Sequence, residues 1–230
     1  MEISKKYLSI AIDGPAGAGK STIARQIAKK LGYIYIDTGA MYRAMGLYFV
    51  RENISLEEED AVSKACEQVD ISIVFENGEQ QVLLNGENVN GLIRSVEAGT
   101  MASTCSVKKQ VREKLVELQQ KLAATENVVM DGRDIGTHVL PNADLKIYLT
   151  ASTEVRAKRR YEELIRKGES VSLEEIEKSI IDRDYQDMNR DISPLCQAED
   201  AILVDSSNMT ITEVADHILI LFSQVSLKGN

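Results

Sequence analysis

The chain has 230 residues, 43% hydrophobic and 27% charged, which is enough for one large core under an ordinary soluble surface. A formal net charge of −9 argues against broad affinity for nucleic acid or anionic membrane. Cys66, Cys105 and Cys196 form no CxxC pair and read as reduced thiols of a cytoplasmic protein, and His138 and His217 are too few for a histidine metal site. The sequence shows neither an N-terminal signal pattern nor an apolar run long enough to span a bilayer.

Tyr7–Asp13 predicts a short buried strand that ends in turn residues. "KSTIARQIAKKLG" follows with Ile23, Ala24, Ile27, Ala28 and Leu31 at helical spacing, and Gly32 stops it. "YIYID" predicts a second strand and "GAMYRAMGLYFVRE" a second helix. In Ile71–Val89, the pairs Asn77-Gly78 and Asn85-Gly86 each separate stretches able to form strands. Both central positions of a type I′ turn need positive φ, so this segment predicts a three-stranded antiparallel meander projecting from the core. "SVEAGTMASTCSVKKQVREKLVELQQKLAA" then predicts a return to the core as helix. Val128–Asp131, Leu145–Leu149 and Ala201–Asp205 predict three more strands, and a last helix is expected near Thr210–Phe222. Five strands interleaved with helices predict an α/β fold around a parallel sheet covered on both faces.

"GPAGAGKS" joins the first strand to the first helix and fits G-x-x-x-x-G-K-S at Gly14, Gly19, Lys20 and Ser21. Glycines let successive N–H groups point at phosphate oxygens beside a positively polarised helix N-terminus. Lys20 would reach the β- and γ-phosphates and the Ser21 hydroxyl would bind Mg²⁺. Asp131, closing an apolar strand, holds a position from which such proteins bind Mg²⁺ through water, and Asp37 has a weaker claim of the same kind. The bland alternative for either is a strand-end aspartate capping the next turn.

The loop alone fits GTPases, ATPases, motors and small-molecule kinases, though no NKxD guanine-reading motif occurs. Arginines narrow the choice. Arg43 lies early in the second helix, Arg133 follows the third core strand, Arg156, Arg159 and Arg160 follow the fourth, and Arg183 and Arg190 are placed on the next helix with Asp187. They fall near the carboxyl ends of parallel strands, where such sheets bind ligands, and guanidinium forks match phosphate geometry. Arg159 is read as an ordinary surface ion pair.

"IDGPAGAGKSTIARQIAKKLGYIYIDTGAMYRA", "LNGENVNGLIR", "MDGRDIGTHVLPNADLKIYLTAS" and "RDYQDMNRDISPL" resemble the bacterial cytidylate kinases, in the same order over nearly the whole chain. The resemblance implies a P-loop nucleoside monophosphate kinase with a five-stranded core (1–70 and 106–230), a monophosphate-binding insert (71–105) and a short helical lid (155–170). The implied reaction moves the γ-phosphoryl group of ATP in line to CMP or dCMP, with Mg²⁺, giving ADP and CDP or dCDP. A P-loop kinase with another acceptor is the alternative.

Carried over by motif, Gly14, Pro15, Ala16, Gly17, Ala18, Gly19, Lys20, Ser21 and Thr22 would hold ATP. Ser21, Asp131 and Asp37 would hold the metal, the aspartates through water. Arg43, Arg133 and Arg190 would grip the acceptor phosphate near Thr38. Ser103, Arg112 and Asp134 would read cytosine, and Arg183 and Asp187 the pentose. Lys20, Arg133, Arg156 and Arg160 would act on the transferred group. The resemblance further implies a cytoplasmic monomer of pyrimidine metabolism that uses small nucleotides and binds neither nucleic acid nor membrane. Two departures stand out: His138 replaces a usual aliphatic residue, implying changed packing, and "EAGTMAS" before Ser103 is atypical.

Overall fold

The computed structural model describes residues 7–76 and 79–226. β1 (Ser9–Asp13) is buried along its length, and the chain turns through the glycine loop into α1 (Lys20–Leu31). Gly32 ends α1 at φ 68°, a left-handed conformation that a side chain would oppose. β2 (Ile34–Asp37) runs directly into α2 (Thr38–Arg51), which Asp37 caps by accepting the Ala40 N–H. α3 (Glu59–Gln68) is not anticipated by the sequence reading. Its only buried residues are Val62, Ala65 and Cys66, and its N-cap, Glu58, makes no side-chain cap bond.

β3 (Ile71–Glu76), β4 (Glu79–Leu84) and β5 (Glu87–Asn88) form the predicted antiparallel meander. Its second turn has positive φ at both Asn85 (50°) and Gly86 (83°), as a type I′ hairpin requires. The first Asn-Gly pair, 77–78, lies outside the described residues. The single helix expected next is two, α4 (Val96–Cys105) and α5 (Lys109–Ala123). Ser106 donates its hydroxyl back to the Ser103 carbonyl, and Lys108 adopts an extended conformation before α5 begins.

β6 (Val128–Gly132) leads into one π-type turn over Ile135–Val139. β7 (Leu145–Thr150) is followed by α6 (Thr153–Arg166) and α7 (Leu173–Asn189), and β8 (Ile202–Asp205) by α8 (Ile211–Ser226). The parallel sheet has the order β2-β6-β1-β7-β8, so the strand that feeds the glycine loop is central.

The described residues fall into two compact units, one running to Tyr35 and resuming at Glu126, the other Ile36–Thr125. In the first, α1 and α8 pack on the sheet through Ile10, Ile12, Ile23, Ile27, Ile147 and Ile218. Each such fully buried side chain contributes about 1.5–3 kcal/mol. α6 and α7 share a smaller core of Ala157, Leu164, Ile176 and Ile180. In the second unit, α2 approaches α4 at Gly46, where an added Cβ would lie 2.7 Å from the Ala102 nitrogen. No helix among the described residues is long and apolar enough to cross a membrane.

Candidate active site

The loop after β1 needs its glycines for space as well as for conformation. Gly14 has φ 147°, and a Cβ there would lie 1.9 Å from the Leu149 carbonyl oxygen. Gly19, at φ 90°, is the N-cap of α1 and offers no side-chain cap, which leaves the helix start to an outside acceptor. Lys20 is buried, and its ammonium donates to the Pro15 carbonyl at 2.7 Å. Burial pushes its pKa well below the usual lysine value and the charge of Arg133 pushes the same way, while Asp131, Asp13 and Asp187 oppose them.

Asp131 stands at the end of β6 and accepts the Ser21 hydroxyl at 2.9 Å through Oδ2. Its Oδ1 accepts the Tyr35 hydroxyl at 2.8 Å. Ser21 and Asp131 are hard oxygen donors, a set that suits Mg²⁺. No cluster of three or more His, Cys, Asp or Glu able to hold a metal occurs among the described residues. Asp13 ends β1 and accepts the N–H groups of Ile135 and Gly136 at 2.8 and 2.7 Å, pinning the turn that follows Asp134.

Beyond β6, the charges alternate. Arg133 donates through Nε to Asp187 at 2.7 Å, Arg190 reaches Asp134 at 3.4 Å, and Arg190 lies 4.0 Å from Asp187. Arg190 is not on the helix but one residue past α7, in an extended conformation. Arg183 is exposed on α7, whereas Asp187 is half-buried against Arg133. Arg156 is buried and heavily bonded: Nε to Ala151 O, Nη1 to Ala16 O in the glycine loop, Nη2 to Thr153 Oγ1, and Nη1 to Asp184 at 2.7 Å. Arg160 is exposed and pairs with Glu163. Arg159 makes hydrogen bonds to Ser206, through its hydroxyl and its carbonyl, where the sequence suggested a surface ion pair. His138 is exposed on the turn, which buries Ile135 and Val139.

In the second unit, Asp37 caps α2 and pairs with Arg43 at 3.3 Å, and its N–H donates to Gln80 Oε1 of β4. Thr38 is buried at the start of α2. Arg112 is buried on α5, its guanidinium carbon 5.8 Å from the centre of the Tyr42 ring, with Nη1 3.4 Å from the Ser106 carbonyl. Ser103 is exposed on α4. The sequence reading missed Asp13, Tyr35, Gln80 and Asp184. Only Asp13 gave a signal, as a carboxylate closing an apolar strand just before the loop.

The model of the family described as cytidylate kinase matches residues 10–224. The chain is 53% identical over 220 residues to a cytidylate kinase of Caldicellulosiruptor saccharolyticus, covering 96% of this chain and 97% of that one. It is 50% identical over 212 residues to a cytidylate kinase of Carboxydothermus hydrogenoformans, covering 92% and 96%. A solved structure of an uncharacterized protein from Eubacterium ventriosum is similar in fold alone, with TM-score 0.53 at 12% identity over 94% of this chain and 98% of that one.

Proposed function

The chain belongs to the cytidylate kinase family, and we propose that it transfers the γ-phosphoryl group of ATP to CMP or dCMP, giving ADP and CDP or dCDP. The observation that carries this reading is the glycine loop with buried Lys20 in the same compact unit as the Arg133–Asp187 and Arg190–Asp134 pairs. A phosphate oxygen of the acceptor is already nucleophilic at neutral pH, so the reaction needs positioning and charge neutralisation and no strong base.

Residues Gly14 to Thr22 bind the donor phosphates, with Lys20 leaving Pro15 O for the transferring oxygens. Ser21 and Asp131 would hold Mg²⁺ on the protein side, and the bound ion would supply neutralisation of the charge that develops on the phosphates. Asp37 is left to its helix cap. Arg133 and Arg190, each neutralised by an aspartate in the structure, exchange that partner for the acceptor phosphate. Asp134 takes the cytosine amine, and Asp187 with Arg183 the pentose hydroxyls. Arg156 and Arg160 belong to the lid at 155–170, and Arg156 would have to leave Ala16 and Asp184 to reach a phosphoryl group.

In the second unit, Thr38, Arg43, Ser103 and Arg112 occupy the acceptor-side positions of the family pattern, with 71–105 as the monophosphate insert. The three free cysteines fit a cytoplasmic enzyme, and a monomer is the working assembly. Coupled measurement of ADP release against a panel of nucleoside monophosphates tests the reading. CMP and dCMP should lead by kcat/KM. A different preferred acceptor, or none, would overturn it.

A further inference from the structure

Asp131 is gripped from two sides. Ser21 donates its hydroxyl proton to Oδ2 at 2.9 Å, and Tyr35 donates to Oδ1 at 2.8 Å. Both Asp131 and Tyr35 are nearly closed to solvent, at 5% and 9% exposure. The Arg25 guanidinium lies 5.3 Å from the centre of the Tyr35 ring, and a cation over a phenol ring makes its hydroxyl a better donor. Tyr35 sits on β2, beside β6 in the sheet, whereas Ser21 lies in the first turn of α1, so the two hydroxyls reach the two carboxylate oxygens from different elements.

A hydroxyl has one proton and two lone pairs. When Ser21 commits its proton to Asp131, its lone pairs are free to face a cation, and this holds only while the carboxylate keeps one rotamer. We propose that Tyr35 is a positioning residue for the divalent cation: by holding Oδ1 it fixes Asp131, which in turn aims the Ser21 oxygen at the metal. The inference rests on the reading of Ser21 and Asp131 as the metal side of the donor site. A bond that only tied β2 to β6 would support stability and leave metal binding alone.

The test compares affinity for β,γ-imido-ATP by calorimetry, with EDTA and with Mn²⁺, and takes the ratio of the two as the metal-dependent gain. Tyr35→Phe should keep the metal-free affinity and lose about ten-fold of the gain, as outer-shell partners of metal ligands typically do. In an Asp131→Asn background the same change should add nothing. Full retention of the gain by Tyr35→Phe, or an equal further loss in the Asp131→Asn background, overturns the inference and leaves the kinase reading intact. No gain in the wild type overturns the metal assignment together with the inference. Should Tyr35→Phe fail to fold, a crystal structure of the wild type with Mn²⁺ and the analogue decides. Tyr35 Oη on Asp131 with Ser21 Oγ on the metal supports the inference, and a Tyr35 hydroxyl turned away from Asp131 overturns it.

Discussion

Asp134 and Arg190 face each other at 3.4 Å with 7% of either side chain exposed, so neither charge can change without consequence for the other. An ionised aspartate only accepts hydrogen bonds, which suits the N4 amine of cytosine and opposes O4 of uracil. A site built this way leaves buried groups unpaired with the wrong base and can discriminate by roughly 10⁴-fold. Wild type should therefore prefer CMP over UMP strongly in kcat/KM, and Asp134→Asn should narrow the gap at the expense of CMP, because its amide can donate to O4. Steady-state kinetics with both nucleotides checks this. If Asp134 serves only to hold Arg190, the two activities will fall by the same factor and the base-reading role is lost. Lys20 gives a second test at this scale. Lys20→Ala should cut ADP formation by about a thousand-fold, the size of a lost transition-state charge contact, while calorimetric CMP binding survives. Near-wild-type turnover would exclude the loop as donor site.

Helix α2 meets α4 at Gly46, where a Cβ would stand 2.7 Å from Ala102 N and 2.8 Å from Ala98 O. Both obstacles are backbone, so Gly46→Ala must push the helices apart and should cost about 1–3 kcal/mol, read as a lower urea midpoint at unchanged slope. Because Ser103 follows Ala102 on α4, KM for CMP should rise more than KM for ATP; equal effects on both would separate the helix contact from acceptor binding. Elements with strong periodicity or turn chemistry were legible in the sequence. Ile23, Ile27 and Leu31 marked α1, and Asn85-Gly86 marked the β4–β5 hairpin. α3 was not legible, since a stripe of three small or medium residues in an acidic run looks like a solvated loop. Nor was the break at 106–108, which a serine hydroxyl bonding back to Ser103 produces without glycine or proline. Within the candidate site, the sequence supplied the residue types but not their partners. Arg133 finds Asp187 54 positions away, Tyr35 finds Asp131 96 away, and Arg156 finds Ala16 140 away. Spacing along a helix says which face a side chain shares and is silent about what the fold brings to that face.

Folding the whole chain requires burying the carboxylate of Asp13, 5% exposed at the end of the central strand. Burial raises its pKa from 3.8 to about 6, against the opposing pull of the Gly136 and Ile135 N–H groups it accepts. The folded state therefore holds this proton more tightly than the unfolded chain does. Well below pH 3.8 Asp13 is protonated in both states and carries no penalty. As pH rises through the folded pKa, the native carboxylate must ionise in a buried place, and stability is lost. Each pKa unit corresponds to about 1.4 kcal/mol, which makes the loss about 3 kcal/mol, complete a little above pH 6. Exposed carboxylates such as Glu59, Glu87 and Glu117 have lowered pKa values from their lysine and arginine partners and act in the opposite direction, but solvent-screened pairs of this kind contribute little. Asp13→Asn removes the ionisation while keeping one acceptor for the turn after Asp134. The unfolding free energy of wild type minus that of Asp13→Asn, from urea titrations between pH 4 and pH 7, should fall by about 2 kcal/mol across the window, the remainder of the loss lying below pH 4. A difference that stays flat with pH would mean that Asp13 is already ionised at pH 4 in the folded protein. Its two backbone hydrogen bonds would then outweigh the cost of burial.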